Sequence, residues 1–194
     1  EIFPRADGLV IIAGGKLTTY RRMAREVVGE TLRLLDQLGE PVEVARRSTK
    51  SRPLPGAVGL GSPDLEGVAA IGRQLLADGL DVDTATHLCG VYGSRAPALA
   101  RRISQEPALG ARLDPELPYV WAEIEFAVRH DLARTVEDVL ARRVPLLLVA
   151  RDQGLGVCGA VADRLAAALG WSAATRAEMV RGYEAEVALS RRWR

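Results

Sequence analysis

Cysteine is scarce in this 194-residue sequence: Cys89 and Cys158 are the only two. They are too few for a disulfide framework and lack the clustered Cys/His spacing of a structural zinc site. A reducing compartment is therefore expected. An excess of one charge is also lacking. With 26 basic and 25 acidic residues interspersed, the formal net charge is +1, so no basic face is available for nucleic acid and nucleic acid is excluded as a partner. No apolar run approaches the roughly 20 residues that span a bilayer. The expected place is the cytoplasm, with peripheral attachment to the inner face of a membrane as the variant. The opening Glu1-Ile2-Phe3-Pro4 has no Met, basic leader or apolar signal stretch, and the expectation is a piece of a longer polypeptide. Lysine is limited to Lys16 and Lys50, arginine supplying the remaining positive charge. A lysine at position 16 therefore needs its own explanation.

What is present, 48% hydrophobic residues and nine aromatics, suffices for one well-buried domain and a small extra element. Gly8-Leu9-Val10-Ile11-Ile12-Ala13 is a short β-branched run bounded by glycines and predicts a buried strand. Met23, Val27, Thr31, Leu34 and Leu38, with Val28 and Leu35, then recur at helical spacing, predicting a helix from near Thr18 to Leu38 that Gly39-Glu40-Pro41 ends. Residues 1–39 are read as a strand–turn–helix segment of their own. From Glu40 to Pro63 proline, glycine and arginine replace periodicity, so 40–63 is read as a linker or loop at a domain boundary.

Residues 64–194 carry repeated helix signatures. Ser62 and Pro63 form a start signal ahead of a stripe of Leu65, Val68, Ala69, Leu75 and Leu76. Helices are expected from Asp83 to Tyr92, from Ser94 towards Pro107, from Pro118 past Val120, Ile124, Ala127, Val128 and Leu132, from Val157 to Leu169, and from Ser172 towards Glu186. Thr135-Val136-Glu137-Asp138 has the form of a capping box with Asp in the acceptor place. The fold class is mainly α: a bundle-like helical domain preceded by one short β-strand and a long helix.

The chemistry-bearing segment is Ala13-Gly14-Gly15-Lys16-Leu17-Thr18-Thr19-Tyr20-Arg21. A strand that feeds two glycines and then a helix lets backbone approach a ligand and aims free N–H groups and the positive helix end at an electron-rich atom. Lys16 adds a point charge there. It is not a Walker A loop, because Val10 stands where the earlier glycine is required. The plain structural alternative is a tight turn that seats strand on helix.

Gly14-Gly15-Lys16-Leu17-Thr18-Thr19-Tyr20-Arg21 resembles the end of the flavin domain in FAD-dependent glycerol-3-phosphate dehydrogenases. Fainter resemblances follow in order at Leu88 to Gly93, Ala122 to Arg129, Thr135 to Leu140, and Arg142-Arg143. The resemblance implies the C-terminal part of such an enzyme, with FAD and glycerol 3-phosphate bound together with the chain's own N-terminal FAD domain. In it, Gly14, Gly15, Lys16, Leu17 and Thr18 face the flavin, and Lys16 also serves the substrate. The implied reaction oxidises sn-glycerol 3-phosphate to dihydroxyacetone phosphate and passes electrons to quinone. The related oxidase, which uses oxygen, is the variant within the class. Thr19, Tyr20 and Arg21 are read as first-turn capping and packing. The dinucleotide-binding glycines would lie before Glu1, so the chain alone is expected to be inactive and to hold no FAD. The helical domain is expected to hold no catalytic residue and no metal, and to cover the flavin domain, dock partners or support a homo-oligomer. The rival class is a non-enzymatic helical interaction module, in which the glycine turn is only architecture.

Other motifs carry less. Gly154-Leu155-Gly156-Val157-Cys158-Gly159 fits G-x-G-x-x-G after the apolar run Val144 to Ala150, with Glu178 near the place of a ribose-binding acid. No second β-branched strand follows, so a glycine-bearing helix start is expected instead. His87 is read as a packed or surface histidine, with no carboxylate or second histidine at i+4, and His130-Asp131 as solvated polar residues. Cys89 and Cys158 are read as small buried hydrophobes. Arg101-Arg102, Arg142-Arg143 and Arg191-Arg192 are read as solvated helix ends, with a membrane or partner surface as the sharper alternative.

Overall fold

Two short strands, β1 (Ile2–Pro4) and β2 (Val10–Ile12), pair antiparallel with Ile2 opposite Ile12 and Phe3 opposite Ile11. The computed structural model describes residues 1–5, 7–44, 52–61 and 66–192, in two compact units, Glu1–Arg52 and Pro53–Arg194. β1 is a strand that the hydrophobic pattern did not announce. β2 falls inside the expected run but is not buried, Ile11 and Ile12 being 37% and 40% exposed. A β-branched run dictates extended backbone, whereas cover has to come from elsewhere. Among the described residues of this unit that cover is the single helix α1 (Tyr20–Gln37).

A short 3-10 turn, Leu17–Thr19, leads directly into α1. Of the expected stripe, Met23, Val27, Thr31, Leu34 and Leu35 are half-buried, whereas Val28 and Leu38 are exposed. Gly39, at φ +79, takes the left-handed conformation that ends the helix.

The second unit is helical. Its elements are α2 (Glu66–Ala77), α3 (Val82–Tyr92), α4 (Ala96–Gln105), α5 (Trp121–His130), a π-helical turn (Asp138–Arg143), α6 (Leu146–Val149), α7 (Leu155–Leu169) and α8 (Ala173–Ser190). The expected start at Ser62, Pro63 and Leu65 lies outside the described residues, as do Arg46, Arg47 and Lys50. α3 is capped by Asp81, whose carboxylate accepts from the Asp83 and Thr84 amides at 3.1 Å each. The Thr135 box forms as expected: the Asp138 amide donates to Thr135 Oγ1 at 2.9 Å and the Thr135 amide donates to Asp138 Oδ2 at 3.0 Å. The helix expected at Pro118 starts at Trp121 instead, because Val120 is extended and its amide donates to Glu123.

Helix α5 is the hinge of the packing. One of its faces, Ile124 and Ala127, joins a core with Val136, Val139, Leu140, Val161, Leu165, Tyr183 and Val187. Its other face, Ala122 and Phe126, joins a second core with Leu75, Leu88, Tyr92, Leu99 and Leu109. Half-buried Trp121 touches both cores. A short amphipathic helix is marginal alone, and burial on two sides is what holds this one.

Candidate functional site

The Gly14 to Thr18 turn is built by backbone that only glycine adopts freely. Gly14 has φ +87 and Gly15 φ +118. Lys16 is extended and starts the Leu17–Thr19 turn without a side-chain cap of its own. The first amides of a helix have no acceptor within it, and those of Leu17 and Thr18 stand in the turn that leads into the positive end of α1. Thr19 closes the turn: its amide and its hydroxyl both donate to the Lys16 carbonyl at 2.9 Å.

Residues 11–20 are all exposed, Leu17 at 89%. Tyr20, expected to pack in the first turn, is instead 56% exposed. A Cβ on Gly14 would meet nothing within 4 Å, whereas one on Gly15 would lie 2.3 Å from Met23 Cε. Met23 thus backs the turn from the helix side, and Thr19 Oγ1 lies 3.4 Å from its sulfur. The turn offers open space at Gly14, the two leading amides of a helical turn and one exposed lysine. That donor set suits the electron-rich edge of a planar ring or an anionic oxygen. Gly14, Gly15, Lys16, Leu17 and Thr18 are therefore brought together as one continuous surface.

A second polar constellation lies inside the helical unit. Glu123, only 1% exposed, accepts from the Tyr92 hydroxyl at 3.0 Å and from the Val120 amide at 2.8 Å, and its Oε1 stands 2.7 Å from His87 Nε2. Burial, together with the neighbouring carboxylate, pushes the Tyr92 hydroxyl far above its usual range. Each carboxylate oxygen has a hydrogen-bond partner, as a buried carboxylate requires. His87 is a packed histidine, with Tyr119 edge-on at 4.6 Å. Its partner is 36 residues away, beyond any local spacing rule.

The G-x-G-x-x-G segment holds no free anion site. Gly154, at φ +75, precedes α7. Asp152 fills the mouth: Oδ1 accepts from the Gly154 amide at 2.8 Å and Oδ2 from the Gly156 amide at 2.7 Å. The apolar run before it becomes the short helix α6 rather than a strand, and Glu178 lies within α8. His130 is exposed and rests against Phe126, centroids 4.5 Å apart. Arg102, expected as a solvated helix end, is tied to Glu125 at 2.8 Å and to Glu106 at 3.1 Å. Among the described residues, no group of three potential metal ligands gathers, and no helix is long and apolar enough to cross a membrane.

Residues 47–176 match the family model described as the C-terminal domain of alpha-glycerophosphate oxidase. The chain is similar to a probable mitochondrial glycerol-3-phosphate dehydrogenase of Caenorhabditis elegans, with 38% identity over 174 residues, covering 87% of this chain and 22% of that protein. It is likewise similar to a glycerol-3-phosphate dehydrogenase of Synechocystis sp., with 30% identity over 166 residues, covering 86% of this chain and 28% of that protein. A solved structure, the glycerol-3-phosphate dehydrogenase from Bacillus halodurans complexed with FAD, shares the fold at a TM-score of 0.70 and 23% identity, covering 96% of this chain and 36% of that one. The chain thus spans under a third of the length of these curated relatives. With well over half of its residues inside the family model, the chain belongs to the family of the C-terminal domain of alpha-glycerophosphate oxidase.

Proposed function

We propose that the chain is the C-terminal part of a flavoprotein that oxidises sn-glycerol 3-phosphate to dihydroxyacetone phosphate, with FAD as cofactor and quinone as electron acceptor. The observation that carries this reading is the exposed Gly14–Thr18 turn, in which two glycines at positive φ and Lys16 immediately precede the start of a helix. The names of its relatives, glycerol-3-phosphate dehydrogenases, and the FAD-bound structural neighbour support the choice of substrate and cofactor.

FAD, when bound, takes up the hydride equivalent that the substrate carbon releases. The chain's own residues bind and orient. Gly14 leaves room for close approach, and Gly15 gives the positive φ that turns the chain against Met23. The Leu17 and Thr18 amides, at the start of a helix, would hold the flavin and stabilise negative charge on it. Lys16 holds the anionic end of the substrate near the same place. An N-terminal FAD domain supplies the rest of the site, so the isolated chain does not turn over. The helical unit covers that domain, and the whole sits peripherally on the inner face of the membrane, where quinone is reached.

The test uses the full-length protein. Gly14→Val forces a side chain into the open space at Gly14, and Lys16→Met removes the charge at similar length. Each is expected to lower kcat/KM for glycerol 3-phosphate by about tenfold or more, Gly14→Val with reduced flavin absorbance as well. Comparing a soluble quinone with oxygen as acceptor separates the dehydrogenase from the oxidase. Flavin content and turnover that stay at wild-type level in both variants would remove the turn from the site.

A further inference from the structure

Sequence stretches far apart in the chain meet at a cavity of about 290 Å³ in the helical unit, where Arg95, Phe126, Asp131, Arg142 and Arg143 form the walls and Gly56 the rim. This cavity shares no residue with the glycine turn. Its rim is built rather than incidental. Gly93, at φ +53, lets the backbone at Gly56 approach so closely that a Cβ on Gly93 would lie 2.1 Å from the Gly56 carbonyl oxygen, and the Ser94 hydroxyl donates to the Pro55 carbonyl at 3.3 Å.

The charges around the walls are unevenly paired. Arg142 is neutralised from outside the cavity by Glu137 at 2.6 Å and Asp138 at 3.1 Å. Arg95 lies over the Phe126 ring at 4.4 Å and meets Asp131 only loosely, at 3.8 Å. Stacking uses the face of the guanidinium and leaves its in-plane N–H groups for an oxyanion. Arg143 donates to the Asp131 backbone carbonyl at 3.0 Å, which pins the fork. Among the described residues no carboxylate lies within ion-pairing distance of Arg143. Arg143, with no carboxylate partner, and the loosely paired Arg95 therefore line a space that also has one carboxylate, Asp131, and the already paired Arg142 in its walls.

We infer that this cavity is an anion site that takes a phosphate group. Forked guanidinium donors match phosphate oxygens. The volume lies at the lower end of the roughly 300–1,000 Å³ of ligand pockets, which suits a small phosphate ester or a phospholipid headgroup rather than a nucleotide. The inference is independent of the flavin reading, because it needs neither Lys16 nor the N-terminal domain.

Calorimetric titration of the chain with inorganic phosphate tests it. Saturable binding is expected, weakened about tenfold by Arg143→Gln and partly restored by Arg143→Lys. Arg95→Gln, which leaves the Arg143 anchor intact, is expected to give a similar loss and serves if Arg143→Gln fails to fold by circular dichroism. Co-sedimentation with phosphatidylglycerol but not phosphatidylcholine vesicles, competed by phosphate, identifies a headgroup as the source, whereas phosphate binding without vesicle binding identifies a free ester. Absence of saturable phosphate binding, equal affinity in folded Arg143→Gln and Arg95→Gln, or displacement of phosphate by equimolar acetate would overturn the proposal.

Discussion

Glu123 and His87 stand 36 residues apart in the chain and meet at 2.7 Å in the core between α3 and α5. Removing the carboxylate strands a buried histidine, the Tyr92 hydroxyl and the Val120 amide together. Leaving such groups unpaired costs about 3 kcal/mol or more. Glu123→Ala is therefore expected to lower the unfolding free energy by that amount, read as a lower urea midpoint at an unchanged m-value. A loss below about 1 kcal/mol would show that the carboxylate contributes little to holding the two helices together.

Gly93 and Gly90, three residues apart, make a paired experiment. Gly93 has φ +53 and its Cβ direction runs into the Gly56 carbonyl, whereas at Gly90, inside α3, a Cβ meets nothing within 4 Å. Gly93→Ala is expected to destabilise by about 2 kcal/mol or more, and Gly90→Ala to be neutral or stabilising by up to about 1 kcal/mol. Thermal unfolding of the two variants measures both. Equal effects would contradict the close approach at Gly93.

Asp81 gives the helical unit an acid-side dependence. Hydrogen bonds from the Thr84 side chain and amide, aided by Arg112, hold its carboxyl down at about 2 against an ordinary value of 3.8. The folded value is the lower one, so the cap's contribution is complete above pH 4 and fades as pH falls towards 2. Amide exchange at the start of α3 is expected to accelerate over that window. In Asp81→Asn the acceleration is expected to disappear. An unchanged profile in the variant would assign the acid sensitivity to another group.

Cys158 and Cys89 are 2% and 6% exposed. Burial pushes the Cys158 thiol up to about 11 and raises Cys89 as well, and the thiolate is the reactive form. Neither is expected to react with a disulfide reagent at pH 8 in the native chain, and both are expected to react once it is unfolded by denaturant. Fast native labelling of either would contradict the packing of α3 or α7.

Much of this protein could be read locally. The ends of α3 at Gly93 and α7 at Gly170, the Ser172 cap of α8, the Thr135 to Asp138 box and the turn at Gly14-Gly15 all stand where their residues predict. Each depends on hydrogen bonds or backbone angles within a few residues, and side-chain chemistry at that range is set by order in the chain. What remained hidden depends on elements meeting. Strand β1 needed β2 beside it, Glu123 needed His87 from another helix, and the three arginines needed separate stretches brought around one cavity. The glycine motif at 154–159 makes the contrast plainest: its spacing invites an anion, and the turn fold brings Asp152 back to fill that place with the chain's own carboxylate. Spacing along a chain states which groups are available, but whether a donor is free or already satisfied follows from what packing brings within about 3 Å of it.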